Sequence, residues 1–226
     1  MYNFEQADRM KNVPLSKIRE MVELSTAMEK EGKPIIHLEI GEPDFDTPKH
    51  ICEAAKEALD AGKVHYGPIV GYEDIRKAVG DEYKKKYGLE FGPEEVMITH
   101  GVTHGIYLSM LAFLNPGDEI LVPDPGFLCY FTVPEIAQAK PVSYYLDPEN
   151  EYQIVPGSLD SLITEHTKMI LLNSPSNPCG FALNEASLKE IARVAEKYDL
   201  IVISDEVYAD IVYDGKRCMS IAELPG

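Results

Sequence analysis

Positive charge is scarce in this sequence: Lys and Arg number 21 against 38 Asp and Glu, for a formal net charge of -17. That acid excess speaks against a nucleic-acid or anionic-membrane surface and for solubility, and by itself it names no partner. Long apolar runs are missing as well. The stretches Met169 to Leu172 and Leu200 to Ile203 are strand-sized, far short of the roughly 20 residues that cross a bilayer. Residues Met1 to Asp8 have neither the basic start nor the apolar core of a signal peptide, so a cytoplasmic protein without a membrane span is expected. The four cysteines, Cys52, Cys129, Cys179 and Cys218, form no CxxC pair, which points away from a zinc motif or a disulfide framework. His100 and His104 have i, i+4 spacing, but Gly101 lies between them and no acidic partner follows, so no metal site is expected. Neither a GxGxxG turn with a ribose-binding acid nor a GxxxxGK loop occurs, which weakens the reading as a nucleotide-binding α/β domain.

What is present is an alternation. No repeat or low-complexity linker divides the chain, which favours one compact unit. Ser16 can cap a helix with apolar positions Ile18, Met21, Val22, Leu24 and Met28, ended by Gly32-Lys33-Pro34, and a short strand is predicted over Ile35 to Ile40. Beyond residue 90 the pattern is regular. Strands are predicted at Val96 to Thr99, Glu119 to Val122, Pro141 to Tyr145, Met169 to Leu172 and Leu200 to Ser204. Helices are predicted at Thr103 to Leu114, Phe127 to Ala137, Leu159 to Glu165 and Glu185 to Tyr198. This rhythm predicts an α/β fold with a mostly parallel sheet and flanking helices. Ligands of such sheets bind at the carboxyl ends of the strands, which selects the junctions at Gly101-Val102-Thr103, Asn173 to Gly180 and Asp205 to Tyr208.

At the first junction, backbone N–H groups and the Thr103 hydroxyl at a helix start suit a phosphate. An ordinary βα turn with a capping Thr would read the same way. Asp205 ends an apolar strand, where a carboxylate needs a cation or several donors to offset its desolvation. Capping the segment that begins at Glu206 is the alternative.

The segments Asn173-Ser174-Pro175-Ser176-Asn177-Pro178-Cys179-Gly180 and Ser204-Asp205-Glu206-Val207-Tyr208 together resemble the Asn-Pro turn and the Asp-x-x-Tyr strand end of the class I/II aminotransferases, fold-type I enzymes that use pyridoxal phosphate. The resemblance runs from about Leu38 to Tyr213. It implies that Asp205 pairs with the protonated ring nitrogen of the cofactor, that Asn177 and Tyr208 hydrogen-bond its ring oxygen, and that Gly101, Val102 and Thr103 form its phosphate cup. It further implies that Phe127 stacks on the ring and that Tyr66 reaches the cofactor phosphate of a neighbouring subunit in a homodimer. Gly41 would bring its backbone to the substrate carboxylate, although a tight turn alone would also explain that glycine. Cys179 stands where the family usually has Thr. The implied architecture is an N-terminal arm and small-domain segment over residues 1–48 and a partial cofactor-binding large domain over 49–226.

The same resemblance places the lysine that holds the cofactor beyond Gly226, so no residue of this chain is expected to be catalytic. Lys216, in the turn Tyr213-Asp214-Gly215-Lys216-Arg217, reads as a solvated loop lysine. The family's substrate-binding arginine belongs to a C-terminal lobe, and two further family strands lie between the first strand of the sheet and the others. The expectation is therefore the N-terminal part of an aminotransferase, or a truncated relative, inactive by itself. In full it would move amino groups between an amino acid and a 2-oxo acid. A related carbon-sulfur lyase, synthase or decarboxylase, or a non-catalytic remnant, remains the alternative.

Overall fold

A computed structural model describes residues 4–13 and 16–225. The chain forms two compact units, one of Leu15–Ile69 and one of Val70–Gly226 together with Met1–Pro14. The arm and small-domain segment inferred from the sequence ended at residue 48, so the first compact unit extends 21 residues further, to Ile69.

The larger unit is built on four parallel strands: β1 (Glu119–Asp124), β2 (Lys140–Tyr145), β3 (Thr167–Asn173) and β4 (Ile201–Asp205), in the spatial order β2-β1-β3-β4. Four helices belong to it: α3 (Glu73–Tyr87), α4 (Val102–Phe113), α5 (Cys129–Ile136) and α6 (Glu185–Tyr198). A parallel sheet is covered on both faces, and its central strands are apolar throughout for that reason. The pleat of β3 shows this directly. Met169 and Leu171 pack into one core with Ile120, Val122, Ile106 and Met110 of α4, and Tyr130 and Val133 of α5. Ile170 and Leu172 point the other way, into a second core with Leu121, Tyr144, and Leu188, Ile191 and Val194 of α6. The result is three layers, α4 and α5 over the sheet and α6 beneath it.

Local chemistry sets the helix ends. The Asn184 side chain accepts the Ser187 N–H at the start of α6, and Asp199, with φ 54°, closes it in the left-handed region. Gly88, with φ 73°, does the same for α3.

Two predicted strands are not strands. Residues 96–99 join no ladder, and Ile98 makes a single backbone bond, to the Val70 carbonyl at 3.0 Å. Residues 35–40 are irregular. Apolar alternation supplies a strand's side chains and cannot supply its hydrogen-bonding neighbour. The helix expected over Leu159 to Glu165 contracts to one 3₁₀ turn, Asp160–Leu162. The one expected from Phe127 begins at Cys129.

The unit Leu15–Ile69 holds α1 (Lys17–Lys30) and α2 (Lys49–Asp60), neither of which buries a residue. A polar bridge lies within it. His37 bridges Glu29 of α1, through Nε2 at 2.9 Å, and Glu39, through Nδ1 at 2.6 Å. The Ser25 hydroxyl donates to the same Glu39 oxygen at 3.1 Å. The Glu39 carboxylate, then Glu29, raises the His37 pKa to about 9, and His37 in turn lowers Glu39 to about 2. No helix among the described residues is long and apolar enough to cross a membrane.

Candidate functional site

In a parallel sheet all carboxyl ends fall on one edge, so the segments that leave β1, β3 and β4 meet there. Phe127 follows β1, Asn177 follows β3, and Asp205 ends β4 with Tyr208 three residues on. Asp205 is 3% exposed. Its Oδ2 accepts the Tyr130 hydroxyl at 2.7 Å and its Oδ1 accepts the Val207 N–H at 3.2 Å. The capping alternative is thus realised in part, since Oδ1 secures a turn; no helix follows it. A carboxylate offers about four lone-pair sites. Two are occupied here, and acceptor capacity remains for an incoming donor.

Tyr130 is the participant that sequence reasoning missed. It sits 75 residues before Asp205, in the first turn of α5, and is 1% exposed. Burial raises the pKa of its phenol, and the hydrogen bond to Asp205 raises it further, so it donates and does not ionise. Burial also pushes the neighbouring Cys129 thiol up to about 12, with a smaller push from the Asp205 charge. Phe127, partly buried, meets Tyr130 edge to face with ring centroids 5.8 Å apart. An aromatic chain therefore runs from Phe127 through Tyr130 to the carboxylate.

The Asn177 side-chain Nδ2 points to the Tyr208 hydroxyl at 3.5 Å. That is the long limit of a hydrogen bond, and it leaves two polar groups side by side, each able to serve a common third atom. Gly101 precedes α4 with φ 79°, a conformation that L side chains rarely adopt, and a Cβ there would meet nothing within 4 Å. No side chain caps the start of α4, and Gly101, Val102 and Thr103 are exposed. The first-turn N–H groups, which have no acceptor inside the helix, thus face open space. A groove of about 650 Å³ lies along α4, from Val102 to Phe113, beside the end of β4, Ile203 to Asp205; Gly101, Thr103, Phe127, Asn177 and Tyr208 are not in its lining.

The structure thus brings Gly101, Val102, Thr103, Phe127, Asn177, Asp205 and Tyr208 to one unit. Gly41 and Tyr66 belong to the other. There Tyr66 is fully exposed, and Gly41 lacks the positive φ that would make its glycine a backbone necessity. Lys216 is exposed beside a turn at Asp214 and Gly215.

These donor and acceptor types fit pyridoxal phosphate: a buried acceptor for a cationic ring nitrogen, two neighbouring polar groups for a ring oxygen, an aromatic face, and free amides at a helix start for a phosphate.

Comparison with known proteins follows the same line. Residues 33–225 match the family described as "Aminotransferase class I and II". The chain is 42% identical over 221 residues to an aspartate aminotransferase of Pyrococcus abyssi, covering 97% of this chain and 56% of that protein. It is 41% identical to the aromatic-amino-acid aminotransferase 2 of Thermococcus litoralis, again covering 97% and 56%. Among solved structures, an alanine aminotransferase from Pyrococcus furiosus superimposes with a TM-score of 0.93 at 35% identity, over 98% of this chain and 57% of that one. The chain spans about half the length of the curated relatives it matches. By sequence and by fold, it belongs to the class I and II aminotransferase family.

Proposed function

We propose that this chain serves, within a full-length protein of the family, the transfer of amino groups between an amino acid and a 2-oxo acid with pyridoxal phosphate as cofactor. The observation that carries this reading is the buried Asp205 carboxylate, which keeps acceptor capacity at the carboxyl edge of the sheet, where the paired Asn177 and Tyr208 side chains also stand. When bound, the cofactor supplies an electron sink for the carbon that exchanges the amino group. The residues of this chain hold and tune it. Asp205 accepts a hydrogen bond from the ring nitrogen and, by charge pairing, keeps that nitrogen protonated. Asn177 and Tyr208 donate to the ring oxygen and favour its ionised form, while Phe127 covers one face of the ring and excludes water from it. The amides of Val102 and Thr103, with the Thr103 hydroxyl, bind the phosphate at the positive end of the α4 dipole.

In this reading Tyr66 serves the phosphate site of a second subunit in a cytoplasmic homodimer, and the Gly41 backbone approaches the substrate carboxylate. The proton-moving lysine is assigned to no residue of 1–226, and the chain by itself is inactive.

The test is to mix the full-length protein with pyridoxal phosphate, reduce with borohydride, map the labelled lysine, and assay amino transfer from a panel of amino acids to 2-oxo acids. One stoichiometric label with amino transfer is expected. A label with release of carbon dioxide or a thiol instead would move the protein to the decarboxylases or lyases. No specific label would make it a non-catalytic relative.

A further inference from the structure

Asn173 is the last residue of β3, is 4% exposed, and pairs in register with Asp205 across the β3–β4 ladder. Its amide carries an NH2 donor group and a carbonyl acceptor, and each makes one bond within the candidate site. Nδ2 donates to the Asp205 carbonyl at 3.0 Å, and Oδ1 accepts the Asn177 N–H at 2.7 Å. One rigid, planar group therefore joins the backbone that carries the carboxylate to the backbone that carries the Asn177 side chain. The Ser174 N–H, at 3.2 Å from the same Asp205 carbonyl, reinforces one side of the link. On the other side, Asn173 is the only acceptor of the Asn177 N–H among the described residues, while the turn around Asn177 is closed by Ser176 N–H to the Phe181 carbonyl and Gly180 N–H to the Ser176 carbonyl.

We propose that Asn173 is a positioning residue: it sets the separation between the Asn177 side chain and the Asp205 carboxylate, and so the span over which the site grips a flat aromatic ring at two points. This rests on the pyridoxal-phosphate reading above. The chemistry explains the residue type. Asp at this position would keep the acceptor, lose the donor and set a second carboxylate beside Asp205. Leu would match the shape and leave the Asn177 N–H and one donor bond unmade, which is costly where water is excluded. Gln would keep both groups and move them by one methylene, which changes the span itself.

A residue that merely stabilised the fold would weaken every ligand contact alike. A residue that acts through Asn177 must lose its effect once Asn177 has no side chain to place. The experiment is a double-mutant cycle in the full-length protein with Asn173→Ala, Asn177→Ala and the pair, reading the equilibrium Kd for pyridoxal phosphate by absorbance and the unfolding midpoint of each apo-protein. Asn173→Ala is expected to weaken binding about tenfold, or about 1.4 kcal/mol, in the native background, and by less than about threefold when Asn177 is already Ala. Asn173→Ser, shorter and less disruptive, gives the same coupling at lower amplitude if the Ala variant does not fold. Equal losses in both backgrounds, or an unchanged Kd in Asn173→Ala or Asn173→Ser, would overturn the proposal while leaving the cofactor reading intact. Failure of the native protein to bind pyridoxal phosphate would overturn both.

Discussion

Along β3, each residue from Met169 to Leu172 is at most 1% exposed, whereas in α1 Ile18, Met21 and Leu24 are each at least half exposed. The two regions have comparable apolar side chains and put them to different use. In the larger unit, helices on both faces of the sheet bury them in two cores. In the Leu15–Ile69 unit no residue of α1 or α2 is buried, and the Glu29–His37–Glu39 bridge ties α1 to the segment after it at the surface. Apolar periodicity alone therefore does not predict where stability lies; the presence of a covering layer decides it.

The contrast can be broken most sharply by equivalent truncations. Leu171→Ala, in the middle of β3, is expected to cost about 2–5 kcal/mol in urea denaturation, and Leu24→Ala in α1 less than about 0.5 kcal/mol; similar losses would erase the distinction. Next comes the carboxyl edge of the sheet. Tyr130→Phe removes one oxygen and leaves the buried Asp205 Oδ2 without its donor, for an expected loss of about 1.5–3 kcal/mol by the same measurement, and a neutral effect would show that the bond is idle. Smaller still is the difference between two helix starts. Asn184 bonds the Ser187 N–H, while Ser16 makes no side-chain cap bond, so Asn184→Ala should cost about 1 kcal/mol and Ser16→Ala only a few tenths.

The smallest effect is a pH dependence confined to residues 16–69. The folded His37 pKa lies above its ordinary value, near 9 against 6.5. Its contribution is then fully present below about 6.5 and fades as pH rises through about 9. An NMR titration should place the His37 midpoint well above neutrality, and His37→Gln should flatten stability across that window. A midpoint near 6.5 would mean that the bridge does not persist in solution.

Much of this was legible in the sequence where causes are local. α6 was read from Glu185 to Tyr198 because its amphipathic period and polar capping residues lie within one stretch. β1 and β3 were legible as short apolar runs between turn residues. The predicted strand at 96–99 failed for a reason no local pattern contains, the need for a neighbour. At the site, Asn177, Asp205 and Tyr208 were recognisable from their spacing in two motifs. Tyr130 was not, because a tyrosine in an apolar helix carries no sign of the carboxylate it meets. Asn173 stood in plain view within the motif, yet its two bonds exist only once β3 and β4 lie side by side.

The Tyr130–Asp205 bond also bears on when the site comes into being. Its partners are separated by 75 residues, and the Asn173–Asp205 bond spans 32. Contacts of such long range must wait for loop closure, and parallel strands pair slowly because their connections are long. α6, made of neighbours, is free to form early. The carboxyl-edge cluster is complete only when β3 and β4 have paired and α5 has packed against the sheet.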